Sequence, residues 1–281
     1  MYQQPAFMRF SAGTVVELFG LIRKQFAQIP EHRLKNVEIP LSDALMSGFA
    51  MFSRKDPSLL AFDDRRTSDA NLQRIYGVGW VPSDTQMRTI WDGVSPEKLR
   101  PVFKALVGHL RQAGVLEPMR FMGKYYLLSV DGTGYFSSKK IHCEMCLERV
   151  NSKTGEITYS HQMLGACLVH PDHKAVIPFA PEPIIKQDGQ SKNDCERNAA
   201  KRFLASLRQD YPDLPLAVVE DALSANAPHM RELQKQDIRY IIGVKPGDHA
   251  FLYAQIEQAR ASGEMQALEQ VGKDGVVHRF E

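Results

Sequence analysis

Two short apolar runs in the second half of the chain constrain the fold most. One is LPLAVVEDALSAN (214–226), apolar until it meets two acids, and the other is IRYIIGVKPGD (238–248). Neither alternates apolar with polar residues, so each suits a strand covered on both faces, as in a parallel sheet. Parallel neighbours need a crossover connection, and APHMRELQKQD between the runs reads as the required helix. A second helix, DCERNAAKRFLASLRQDYP (194–212), precedes the first run and gathers Ala199, Ala200, Phe203, Leu204 and Leu207 on one face. Upstream lie three segments rich in β-formers: KYYLLSVDGTGYFSS (124–138), ITYSHQMLGACLVHP (157–171) and KAVIPFAPEP (174–183). The first two are expected to pair as a hairpin around NSKTG.

Three antiparallel-type strands, helix, strand, helix, strand is the order of a ribonuclease-H-like core. The front of the chain has a different texture. Val15, Val16, Leu18, Phe19, Ile22 and Phe26 recur at helical spacing. Ser42 or Asp43, Asp69, and Ser83 or Asp84 are candidate caps for three further helices, and Pro101 suits the first turn of another. The expectation is a mixed α/β protein. Residues 1–120 form a helical DNA-binding region, and 121–248 form the first part of a ribonuclease-H-like catalytic core. Residues 249–281 read as a helix and then two short strands.

With 43% hydrophobic residues the chain can bury a core, which argues against disorder. No run reaches the roughly 18 apolar residues of a membrane span. The opening MYQQPAFMRF lacks the pattern of a secretory signal. Four cysteines do not make a disulfide scaffold, and a reducing bacterial cytoplasm, near the nucleoid, fits. Residues 1–120 carry 16 Lys+Arg against 12 Asp+Glu, and residues 121–281 carry 19 against 21. A basic front and a more acidic back suits a DNA-gripping region joined to a metal-holding one.

Asp131 ends the apolar run LLSV, and Asp221 ends LAVVE. In this strand order the first and fourth strands are neighbours, which brings the two carboxylates together. Unpaired carboxylates that close repel each other unless a cation sits between them. Magnesium takes hard oxygen ligands, and a pair of such ions clamps both oxygens of a phosphoryl displacement. Local sequence also fits blander roles: Asp131–Gly132 as a turn dipeptide, and Asp221 as a helix cap. Glu220 is expected on the opposite face of its strand.

The segments LLSVDGTGYFSSKKIHCEMC (127–146), VIPFAPEPIIKQDGQSKNDCERNAAKRFL (176–204), VVEDALSAN (218–226), IIGVKPGDH (241–249) and DALMSGFAMFSRKDPSLLAFD (43–63) resemble insertion-sequence transposases of the DDE superfamily. The resemblance implies a helical DNA-binding front and a ribonuclease-H-like core interrupted by a β insertion, which residues 249–281 would begin, so that the core is incomplete at the C-terminus. It places the family's first two catalytic acids at Asp131 and Asp221. The third, a glutamate beyond the insertion, has no counterpart, so the chain is expected to be truncated and inactive alone. The intact enzyme would use two magnesium or manganese ions to cleave and join DNA at terminal inverted repeats and a target, as a homodimer around paired ends and without a membrane. Two other classes stay open. One is a non-enzymatic DNA-binding fragment that regulates a full-length transposase. The other is a self-contained nuclease with Glu257 as third acid, where an ordinary exposed glutamate is the alternative.

Three further signals remain. Cys143 and Cys146, with His161 on the paired strand, have zinc-ligand spacing, with His170 and His173 as candidate fourth ligands; a reduced cysteine pair near a hairpin is the alternative. Residues 68–91 read as a helix-turn-helix, with Ser83, Thr85, Gln86 and Arg88 facing DNA and Arg74 on phosphate, or as a plain helical hairpin. Lys245, just past a strand end, suits a DNA phosphate or a solvated loop.

Overall fold

A computed structural model describes residues 12–34, 37–186, 193–272 and 274–280. The opening segment read for a signal and residues 187–192 of the resembling segment lie outside the described residues. The front is helical: α1 (Ala12–Phe26), α2 (Leu41–Ser53), α3 (Leu59–Arg66), α4 (Ala70–Arg74), α5 (Asp84–Asp92) and α6 (Arg100–Gln112). Then follow β1 (Arg120–Phe121), β2 (Tyr125–Ser138), β3 (Leu147–Val150), β4 (Ile157–His170), β5 (His173–Pro178), β6 (Glu182–Ile184) and α7 (Glu196–Asp210). The chain continues through β7 (Leu216–Glu220), α8 (Ala227–Lys235), β8 (Arg239–Ile242), α9 (Ala250–Ala261), β9 (Leu268–Val271) and β10 (Val277–Phe280). The protein is therefore mixed α/β. Among the described residues, no helix is long and apolar enough to cross a membrane.

The main sheet runs β3-β4-β2-β7-β8, with β1 on β2 and with β5 and β6 on β4. β2 pairs antiparallel with β4, and β2–β7 and β7–β8 pair in parallel. The helices α7 and α8 supply the connections into β7 and β8. The apolar run in β7 is buried because both faces are covered: Leu216, Ala217 and Val218 are nearly inaccessible, and Phe203, Leu204 and Leu207 of α7 pack in the same core. The hairpin around residues 151–155 joins β4 to β3, a short strand that the sequence reading had not separated, rather than to β2. The expected strand 174–183 divides into β5 and β6, and the strand begun at 214 stops at Glu220.

The helical front has its own core, built on Ala44, Met46, Phe62, Leu72, Met87 and Ile90. α6 joins it to the sheet, since Val102 packs in the helical core and Val107 in the sheet core. Asp69 and Ser83 cap α4 and α5 as expected. Asp43 does something else. It is 3% exposed, accepts from the Arg23 guanidinium at 2.6 Å, and accepts from the backbone N–H groups of Gly79 and Trp80 at 3.0 and 2.9 Å. One carboxylate thus ties α1 and the 77–80 loop to α2, which starts at Leu41 after Pro40 with no side-chain cap. Removing one member of a buried ionic cluster strands the rest, at a cost of about 3 kcal/mol. Asp43→Ala is expected to destabilise the chain by about that much, and Asp43→Asn by less, in urea unfolding. Unchanged midpoints for both would show that the cluster contributes nothing.

Candidate active site

Asp131 and Asp221 come together through strand register. β2 and β7 are parallel neighbours with Ser129 opposite Val219, so stepping two residues along each strand puts Asp131 level with Asp221. Parallel strands lie about 4.8 Å apart, so the two acids share one rim of the sheet. β2 runs on to Ser138 with Asp131 opposite Gly165, which rules out the turn role for Asp131–Gly132. Asp221 does act as a cap: it follows β7, and its Oδ1 accepts from the Leu223 N–H at 2.9 Å. Both acids line an open cavity of about 510 Å³ together with Gln162, Glu196, Arg197 and Asn226.

Glu196 was not singled out by the sequence reading. It stands in the first turn of α7 and lies over β2 beside Asp131. A Cβ added at Gly132 would come within 2.1 Å of the Glu196 carboxylate, so the glycine leaves the space that the carboxylate fills. Burial, and then the charges of Asp131 and Asp221, push the Glu196 carboxyl above its ordinary range. Topology carried the signal. A helix that leads directly into β7 runs antiparallel to it, so its first turn lies at the end of the sheet where β7 finishes.

Glu220, by contrast, turns inward. Its side chain is 4% exposed and hydrogen-bonds His229 of α8 at 2.6 Å. Glu257 is exposed on α9, bonds Arg260 at 2.5 Å, and does not line the cavity. Lys245 is exposed in the turn after β8, past the same edge of the sheet as Asp221.

In the helical front, Arg74 is exposed at the end of α4, and Arg88 is exposed and pairs with Asp84 at 3.4 Å. The side-chain oxygen of Gln86 accepts from the Ser83 N–H at 3.0 Å, which completes a capping box rather than leaving that oxygen free for a base. Between α4 and α5 runs the stretch Ile75–Ser83, longer than a helix-turn-helix turn, with the backbone N–H groups of Gly79 and Trp80 anchored to Asp43.

Cys143 and Cys146, in the loop between β2 and β3, meet His161 of β4, with donor atoms within 4.8 Å of one another. The three carboxylates do not close to that separation. Burial raises the Cys146 thiol and lowers the His161 imidazole, so both favour the neutral form. His170 and His173 pair at the opposite end of β4, about 30 Å of strand from His161, and do not join the cluster.

No family model and no curated protein matches the chain. Among solved structures, the chain is similar to a piggyBac transposase in a synaptic complex with hairpin DNA, at a TM-score of 0.38 and 14% identity. The match covers 82% of this chain and 51% of that one, so the chain spans about half the length of this structural neighbour. A transposase is thus a distant neighbour of this mixed α/β fold, and similarity of this degree identifies no family.

Two outcomes follow from Glu196. Its pKa is raised in the folded state, so the carboxyl contributes stability at low pH that is lost as pH rises through the folded value. In metal-free buffer, Glu196→Gln is therefore expected to be more stable than the parent at neutral pH, with the gap closing in acid; pH-independent denaturation midpoints would contradict this. Gly132→Ala should destabilise by about 1–3 kcal/mol through overpacking, and most of that loss should vanish in a Glu196→Ala background. Additive losses in the double variant would place the two residues out of contact.

Proposed function

We propose that this chain is the ribonuclease-H-like part of a DNA transposase, with Asp131, Asp221 and Glu196 as the carboxylates that hold its divalent metal ions. The observation that carries the reading is the register of β2 and β7, which sets Asp131 level with Asp221 beside the carboxylate of Glu196. The donor set fits magnesium or manganese: hard oxygens only, with like-charge repulsion that a cation would relieve. Such ions supply polarisation of a phosphodiester and activation of the attacking hydroxyl. The chain's own groups do the rest. Asp131 is positioned by a strand paired on both sides, Asp221 by its own capping turn, and Glu196 by the rigid first turn of α7. The cavity beside them is open to solvent, where a phosphodiester would approach, and the exposed Lys245 beyond β8 would meet a neighbouring phosphate. Joining two DNA ends in one event would call for two copies of the protein.

Glu196 also favours a second reading, a self-contained nuclease of the same class, because it provides a third carboxylate within this chain. The expected outcome is magnesium- or manganese-dependent nicking of a supercoiled plasmid carrying the DNA that flanks the coding sequence. Asp131→Asn, Asp221→Asn and Glu196→Gln should each slow it on the order of 100-fold, a loss of about 2.7 kcal/mol of transition-state stabilisation. Joined products would support the transposase, and nicks without joining the nuclease. Cleavage that survives all three substitutions would remove both readings, and no cleavage with intact DNA binding would point to a regulatory DNA-binding fragment.

A further inference from the structure

We propose that Cys143, Cys146 and His161 form a zinc site that staples the loop between β2 and β3 to β4. The Sγ atoms lie 3.8 Å apart, and each lies 3.3 Å from His161 Nε2. Tetrahedral zinc with Zn–S near 2.3 Å and Zn–N near 2.0 Å sets sulfur atoms about 3.8 Å apart and sulfur to nitrogen about 3.6 Å. The sulfur spacing therefore already matches a zinc tetrahedron, and the nitrogen contacts need to open only slightly. A disulfide would need the sulfurs at about 2.05 Å.

The surroundings place the ligands. β2 carries a bulge between Gly134 and Phe136, which leaves Tyr135 outside the pairing, and its ring stacks on His161 at 5.9 Å. Phe136 packs on the same imidazole at 5.7 Å. Bulges of this kind re-aim side chains next to a site. The Cys146 N–H bonds back to the Cys143 carbonyl at 3.2 Å, so the two cysteines share one tight turn. His142 turns elsewhere: its ring stacks on Tyr159, and its Nδ1 meets the Lys140 carbonyl.

Three protein ligands leave the fourth position to solvent, on the exposed Cys143 side. Binding would release the thiol protons to water as the thiolates form. Two soft thiolates and an imidazole select zinc over magnesium, so this site is chemically distinct from the carboxylate cavity. Its role would be to hold the loop between β2 and β3 against β4.

The test is metal content. The whole chain, purified without chelator, is expected to carry one zinc per molecule by mass spectrometry. Cys143→Ser and His161→Ala should lose it, whereas Cys167→Ser, Cys195→Ser and Asp131→Ala should keep it. To separate metal binding from any folding defect of a site variant, the unsubstituted protein is also stripped and titrated with cobalt. A thiolate-to-cobalt charge-transfer band, with two of the four thiols shielded from alkylation, is expected. Four equally reactive thiols with and without zinc would overturn the proposal. So would a Cys143–Cys146 disulfide in the purified protein, or zinc that leaves with Asp131→Ala and stays in Cys143→Ser.

Discussion

The parallel pairing of β2 with β7 is the constraint on which the rest of the structure depends. No tight turn can join parallel neighbours, so the chain between them must leave the sheet and return. It does so through the antiparallel excursion of β3 to β6 and then through α7. Once that path is fixed, β7 finishes level with Asp131 while β2 runs on along β4, and the helix leading into β7 has to start at that level. Three carboxylates distant in sequence are thus gathered by one strand contact and its connection. β2 also pairs with β4 on its other side, so Asp131 has little freedom to move away.

A second ionic cluster holds the crossover helix in place. Glu182 of β6 is 8% exposed and accepts from Arg100 of α6 at 2.9 Å and from Arg202 of α7 at 2.7 Å. Arg202 also meets Asp194 at 2.9 Å, just before α7 begins. Removing either guanidinium would leave a buried carboxylate with part of its compensation gone. Through it the helical front, the sheet edge and α7 constrain one another. Glu196 lies on the same rigid helix as Arg202, so the cluster also supports the position of the Glu196 carboxylate.

The meeting of Asp131 and Asp221 was legible in the sequence because each ends an apolar run, and strand order supplied the reason for them to meet. Glu196 was not legible, because an acid opening an amphipathic helix looks like an ordinary solvated residue. Its role depends on where the helix starts in space and on the missing side chain at Gly132, and neither is a local property. Asp43 misled in the opposite direction. An acid at the start of an apolar helix reads as a cap, yet its partners lie on α1 and in the 77–80 loop. The zinc-type spacing of Cys143 and Cys146 was visible in sequence, and so was the strand carrying His161. The exclusion of His170 and His173 needed only the length of β4, since the pairing at its far end carries them away.

Glu220 and Asp221 are adjacent acids that line the same cavity but differ in their partners. Glu220 forms part of its inner wall, and Asp221 stands at the rim. The inward Glu220 meets His229, so its demand for a partner is met within the protein. Asp221 has a backbone N–H for one oxygen and lies across the rim from Asp131 and Glu196, with no basic side chain bonded to it among the described residues. Protein ion pairs elsewhere in the fold balance buried acids such as Asp43 and Glu182. At this rim Arg197 lines the cavity without an ion pair to Asp131, Asp221 or Glu196 among the described residues, and partial burial adds to the repulsion that Glu196 meets from the two aspartates. The three acids are thus less completely balanced than Asp43 and Glu182, an arrangement that a divalent cation would relieve.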